Sequence, residues 1–205
     1  MIRLMPNSFE RQEMTERERL SLIEDAGLEN GKKLDLALLT LGKKSAAQLG
    51  NYDIIESDEH KKQLLSEFSE EVETIKTLLD SLGCAYNLEE LKDRDGIMGF
   101  SFLVARDQAA LLEVAKAEVE KDDKAFGRLM GYPETSIEAY GTENAFDYES
   151  ALPKRELQKL KDEGMLPFLE FMPSKEHWAE ELAWAREMRD LVKEKAPHLY
   201  EGLEK

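Results

Sequence analysis

Between Ser57 and Gly83, Leu64, Leu65, Phe68, Val72, Ile75, Leu78, Leu79 and Leu82 recur every three or four residues. That is the period of one helix face, and the intervening positions are largely acidic, with Glu67, Glu70, Glu71 and Glu73 among them. A helix this long has to lay its apolar stripe on other elements, so the chain is constrained to fold around it. Each leucine or phenylalanine buried there contributes about 1.5–3 kcal/mol. Ser57-Asp58-Glu59 supplies the start signal and Gly83 the stop.

The flanking segments supply partners for that stripe. Thr15-Glu16-Arg17-Glu18 reads as a capping box opening a helix that closes at Gly27. Lys32 to Leu41 is rich in leucine and alanine rather than β-branched residues, which favours helix. Gly42, Gly50 and Asn51 then predict a loop-rich connection around a short helical piece, Ser45 to Leu49. Two strands follow, 84–91 and 97–105, joined as a hairpin through Lys92-Asp93-Arg94-Asp95-Gly96. A calcium loop does not fit this turn, because the position five before Gly96 is Leu91 rather than an acid. Phe100 to Ala105 is apolar on both faces, the mark of a central strand.

Asp107 caps an alanine-rich helix from Gln108 to about Lys121. Pro153 and Gly164 bracket another helix, and Leu166 to Met172 reads as a third strand that Pro167 confines to a sheet edge. Pro173-Ser174 leads into a last helix with Trp178, Leu182, Ala185 and Val192 on one stripe. The expected fold is helix-dominated α+β: a sheet of about three strands (84–91, 97–105, 166–172) covered by helices. Residues 1–56 are expected to form an N-terminal helical arm or subdomain, and 57–205 the α+β domain.

Composition narrows the function. The chain has 205 residues, 41% hydrophobic and 35% charged, enough apolar surface for a sizeable core. No run approaches the roughly 20 apolar residues that cross a bilayer, and the first residues lack the apolar core of a secretory signal. One cysteine, Cys84, fits a reducing compartment and a buried structural role. A cytoplasmic protein with no membrane association is therefore expected. The net charge of −16 repels phosphate backbones.

Residues Ala125 to Tyr140 form a distinctive stretch. Gly131 can end one short helix and Tyr132-Pro133 start the next. Small Ala125, turn Gly131 and apolar Ile137 resemble the helix-turn-helix motif at the positions where its two helices pack. That resemblance implies a second helix reading the major groove, with cations nearby on phosphates. Here the second helix offers Glu134, Thr135, Ser136 and Glu138, while Lys124 and Arg128 lie on the first. Charge therefore argues against nucleic acid and for a helix hairpin used in packing or binding. Phe126, Tyr132, Tyr140, Phe146 and Tyr148 make this hairpin and its following loop aromatic, as in a second core, a pocket rim or a partner surface.

Two junctions carry cations beside expected helix starts, at 105–108 and 172–177. Arg106, Ser174, Lys175 and His177, with Arg128, compose an expected seat for a small anion, and His177 is the one acid/base candidate because histidine is the side chain suited to proton transfer near neutral pH. His177, Glu180 and Glu181 have helical spacing, but the two-histidine metal pattern is missing, so no metal site is expected and no cofactor is indicated. Three readings follow. The first is a non-catalytic binding or regulatory module using the 126–148 region, with Tyr132 and Tyr140 at a protein partner or ligand. The second is an enzyme or sensor for a small anionic ligand at the junctions, and the third a nucleic-acid binder using Arg128.

Overall fold

In the computed structural model, which describes residues 14–203, the capping box at Thr15 opens α1 (Glu16–Asp25). Thr15 donates its amide to Glu18 Oε2 at 2.7 Å and its Oγ1 accepts from the Glu18 amide at 3.3 Å. The bonds from the Thr15 backbone, and then from its hydroxyl, hold the Glu18 carboxyl below the usual range. α2 (Asn30–Thr40) is helical as its leucines suggested, with Leu34, Leu36, Leu38 and Leu39 buried.

The next element departs from the sequence reading. Where a short helix was expected at Ser45 to Leu49, the chain forms a strand, β1 (Ala46–Ile54). Tertiary pairing overrides the local signals here, because β3 (Ile97–Ala105) is apolar on both sides and takes β1 on one edge and β2 (Ala85–Arg94) on the other. The order is β1-β3-β2, antiparallel throughout, with Ala46 and Ala85 both opposite Ala105. Gly50 and Gly99 permit the close approach: a Cβ on Gly50 would lie 2.8 Å from the Phe100 carbonyl oxygen, and one on Gly99 only 2.4 Å from that of Asn51. Gly50, a breaker when read in isolation, is a contact position in the ladder, as is Gly99 within the expected strand 97–105. β2 and β3 meet at a tighter turn than expected, Asp95-Gly96, with φ of 57° and 79°. Positive φ at both central residues matches the right-handed twist of the paired strands.

α3 (Asp58–Leu82) is the long helix anticipated from its stripe. Ser57 Oγ accepts from the His60 amide at 3.1 Å, and Gly83 ends the helix with φ of 73°. Leu64, Phe68, Val72, Ile75, Leu78, Leu79 and Leu82 are buried, whereas Leu65 is exposed. The stripe packs on one sheet face, where Phe68 meets Phe100 edge-on at 5.7 Å, Phe100 meets Phe102 at 5.9 Å, and Tyr86 meets Phe102 at 5.6 Å. Lys32 is 7% exposed beside this cluster. Its ammonium is matched by Glu71 at 2.5 Å and Glu29 at 3.1 Å, and lies 6.0 Å from the Phe100 ring centre. A buried cation needs such partners.

Cys84 is buried, and burial, opposed weakly by the Arg19 charge, pushes its thiol up to about 11. Only the thiolate reacts. Alkylation by iodoacetamide at pH 8 is therefore expected to be slow in the native protein and fast in urea; native labelling at the unfolded rate would contradict the burial. The proton balance also has a sign. The unfolded thiol ionises near 9 and the folded one near 11, so this group's contribution to stability is intact below pH 9 and is lost as pH rises from 9 to 11.

α4 (Gln108–Glu120) is capped by Asp107, whose Oδ1 accepts from the Ala110 amide at 2.9 Å. The chain divides into two compact units inside this helix, between Ala115 and Lys116. Residues 14–56 supply α1, α2 and β1, which belong to the first unit with the sheet.

The second unit holds α5 (Asp123–Leu129), α6 (Glu134–Ala139), α7 (Tyr148–Ala151), α8 (Lys154–Asp162), α9 (Trp178–Lys195) and α10 (Pro197–Leu203). The strand expected at 166–172 is not formed. Leu166–Phe168 is one 3-10 turn and the rest runs irregularly to Pro173, so the third strand of the sheet is β1. Pro167 has no amide to give a ladder, and the apolar side chains are satisfied by burial instead: Phe168, Leu169 and Phe171 are all buried, and the 3-10 turn packs on α9. No helix among the described residues is long and apolar enough to cross a membrane.

Candidate functional site

Asp122 starts α5 by accepting from the Ala125 amide at 3.0 Å, Gly131 turns the chain with φ of 77°, and Pro133 precedes α6. This is the hairpin the sequence anticipated. Gly127 is where the helices come closest, since a Cβ there would stand 3.0 Å from Ile137 Cγ1. On the outer side, Arg128 Nε donates to both Glu134 carboxylate oxygens at 3.1 and 3.0 Å, and Lys124 pairs with Glu138. The hydrogen bond from Arg128 holds the Glu134 carboxyl below its usual range, and the bond to Glu134 raises the guanidinium in turn. The carboxylates of α6 thus engage the cations of α5, and a phosphate would have to displace them.

The inner side of the hairpin faces a cleft of about 510 Å³. Phe126 and Gly127 enter it from α5, Ser136 and Ile137 from α6, and Tyr132 and Tyr140 from the turns beside α6. Asp147 and Tyr148 contribute from the start of α7, and Leu169 to Pro173 form a further wall. The walls are braced by rings: Tyr132 lies 6.1 Å from Phe171, Phe171 packs edge-on to Trp184 at 5.5 Å, and Tyr148 stacks on Trp178 at 6.0 Å. Phe146 supports the same tryptophan edge-on at 5.5 Å.

Tyr132 and Tyr140 therefore line one cleft, while Arg128 is turned to the acidic face of the hairpin. Ser174, Lys175 and His177 are together in the turn before α9, each engaged inside the protein. Ser174 is fully buried; its Oγ accepts from the His177 amide and from Asn144 Nδ2, both at 3.2 Å. Its own amide donates to Glu181 Oε2 at 2.7 Å. Lys175 donates its amide to the Asn144 carbonyl at 2.8 Å and its ammonium to that of Glu143, and His177 Nδ1 is 3.2 Å from Glu180. Arg106 belongs to the first unit, exposed in the turn between β3 and α4.

The chain matches no family model, no curated protein and no solved structure.

The sequence did not point to the 169–173 wall, because residues 169–172 read as part of a strand and Pro173 as the lead into the last helix. The signal was the pair of prolines, Pro167 and Pro173, which bracket the segment and make it a poor ladder member. Glu181 was also missed as a structural group; it is 1% exposed and accepts from Thr135 Oγ1 at 2.7 Å as well as from Ser174. Electrostatically the cleft is negative. Burial, and then the carboxylates of Glu149, Asp147 and Glu170, raise the Tyr148 phenol above its ordinary value. Among the described residues no three His, Cys, Asp or Glu side chains are grouped so as to hold a metal ion.

Proposed function

We propose that this chain is a non-catalytic cytoplasmic binding or regulatory module, and that the cleft beside α5 and α6 is where it takes a small ligand. The observation that carries the reading is the cleft itself. Its volume of about 510 Å³ lies in the range of small-molecule sites, and it combines apolar and aromatic walls with a few polar groups. Its one serine is not presented as a nucleophile, since Ser136 Oγ donates to the Pro133 carbonyl at 2.7 Å and braces the start of α6. The cytoplasmic placement rests on the single cysteine, whose buried thiol needs no oxidising compartment.

A seat for small anions at 172–177 has less support. The Ser174 amide that would meet such an anion already meets the Glu181 carboxylate. A second anion placed there would be repelled by the first.

A fragment screen by amide NMR tests the reading. Perturbations are expected to cluster at Phe126, Tyr132, Ile137, Tyr148 and Phe171. Tyr140→Ala should weaken those fragments several-fold while leaving the melting temperature nearly unchanged, because Tyr140 lines the cleft yet is 55% exposed. Fragments that gather elsewhere, or that bind Tyr140→Ala as well as the parent protein, would remove the cleft as the ligand site.

A further inference from the structure

The rim of the cleft carries three carboxylates: Asp123 at the start of α5, Asp147 before α7, and Glu170 on the 169–173 wall. All three are exposed, and among the described residues no lysine, arginine or histidine lines the cleft. The rings of Phe126, Tyr132 and Tyr148 line the same cleft, and an aromatic face carries the negative part of its quadrupole. Aromatic walls beneath a carboxylate rim attract positive charge and repel anions.

We propose that the cleft's ligand is a small organic cation, an amine or quaternary ammonium group carried on an apolar body. The inference rests on the cleft being the ligand site. Its volume requires the body, since about 510 Å³ is more than an ammonium head alone fills and suits a drug-sized molecule. A metal ion fits less well, because the rim carboxylates are not grouped for coordination and act through their field instead. Tyr148 lies in that field: after burial, the charges of Glu149, Asp147 and Glu170 raise its phenol above the ordinary value. A cation in the cleft beside this ring would meet the same carboxylates.

The test is isothermal titration of the full chain with three probes of similar body: benzyltrimethylammonium, benzyl alcohol and benzoate. The cation is expected to bind roughly tenfold or more tighter than the alcohol, the scale of a desolvated cation–π contact, and benzoate most weakly. Affinity for the cation should fall as salt rises, since exposed carboxylates are screened. The double variant Asp147→Asn, Glu170→Gln should lose most of the preference for the cation over the alcohol. A control pair away from the cleft, Glu156→Gln with Asp162→Asn, should keep it. Equal binding of cation and alcohol, or a preference for benzoate, would overturn the cation inference and leave the cleft reading standing. No binding by any probe to the folded protein would overturn both. The same head group occurs on free amines and on methylated lysine side chains, so N-acetyl-trimethyllysine amide is compared with a ten-residue peptide containing that residue. Tighter binding of the peptide assigns the source to a protein tail, and equal binding to a free molecule.

Discussion

Phe100→Ala is expected to destabilise the first unit by about 3–5 kcal/mol, the usual cost of emptying a buried phenylalanine site. The ring is 1% exposed on the central strand, edge-on to Phe68 of α3 at 5.7 Å and to Phe102 at 5.9 Å. Removing it leaves a void that the strand cannot collapse into, because β3 is hydrogen-bonded on both edges to β1 and β2. It also takes the aromatic face from the buried Lys32 ammonium, which keeps only its carboxylate partners. Phe100→Leu refills most of the volume and should cost less than half as much. Urea unfolding followed by far-UV circular dichroism measures both. A loss below about 1 kcal/mol for the alanine variant would mean that the ring is not a core residue at all.

The same strand shows what was readable beforehand. A sequence states periodicity and punctuation directly, so the stripe of α3, the Thr15 capping box, the central place of β3 and the Asp122 to Ala139 hairpin could all be derived. These features depend on residues close in the chain. β1 could not be derived, because nothing between Ser45 and Ile54 makes a strand until β3 offers an edge, and the glycine that allows the approach, Gly50, looks locally like a break. The wall at 169–173 failed in the opposite sense. Its apolar run is a sound strand pattern, but burial can be met without a ladder, and the 3-10 turn with its packing on α9 meets it. The expected site divided along the same line. Tyr132 and Tyr140 sit on the hairpin that local signals define, and both reach the cleft. Arg128, Lys175 and His177 enter the expected site as cations, the last two beside a helix start and His177 also as the acid/base candidate, and charge is the property that nearby carboxylates and carbonyls engage most readily in a protein of net charge −16.

Glu181→Ala is expected to cost the second unit about 2–4 kcal/mol, chiefly by stranding a buried amide. Ser174 is fully buried, and its N–H has the Glu181 carboxylate as acceptor at 2.7 Å. Thr135, which donates to the other oxygen at 2.7 Å, is only partly buried and can turn its hydroxyl toward water. The carboxylate in turn lies in the first turn of α9, where the helix dipole favours negative charge. Glu181→Gln keeps an oxygen for the Ser174 amide and sets its NH₂ against Thr135 Oγ1, a group able to accept. It should therefore cost no more than about 1 kcal/mol, because losing the charge also relieves the cost of burying it. Trp178 and Trp184 both belong to the second unit, so tryptophan fluorescence in urea reports this change where it occurs. A glutamine variant as unstable as the alanine one would show that the charge, rather than the acceptor, holds the turn. Ser174 directly follows Pro173 at the end of the 169–173 wall, and Thr135 lies beside Ser136, which lines the cleft from α6. The buried carboxylate thus ties two walls of the cleft through neighbouring residues, and Glu181→Ala should loosen ligand binding at urea concentrations where the unit is still folded.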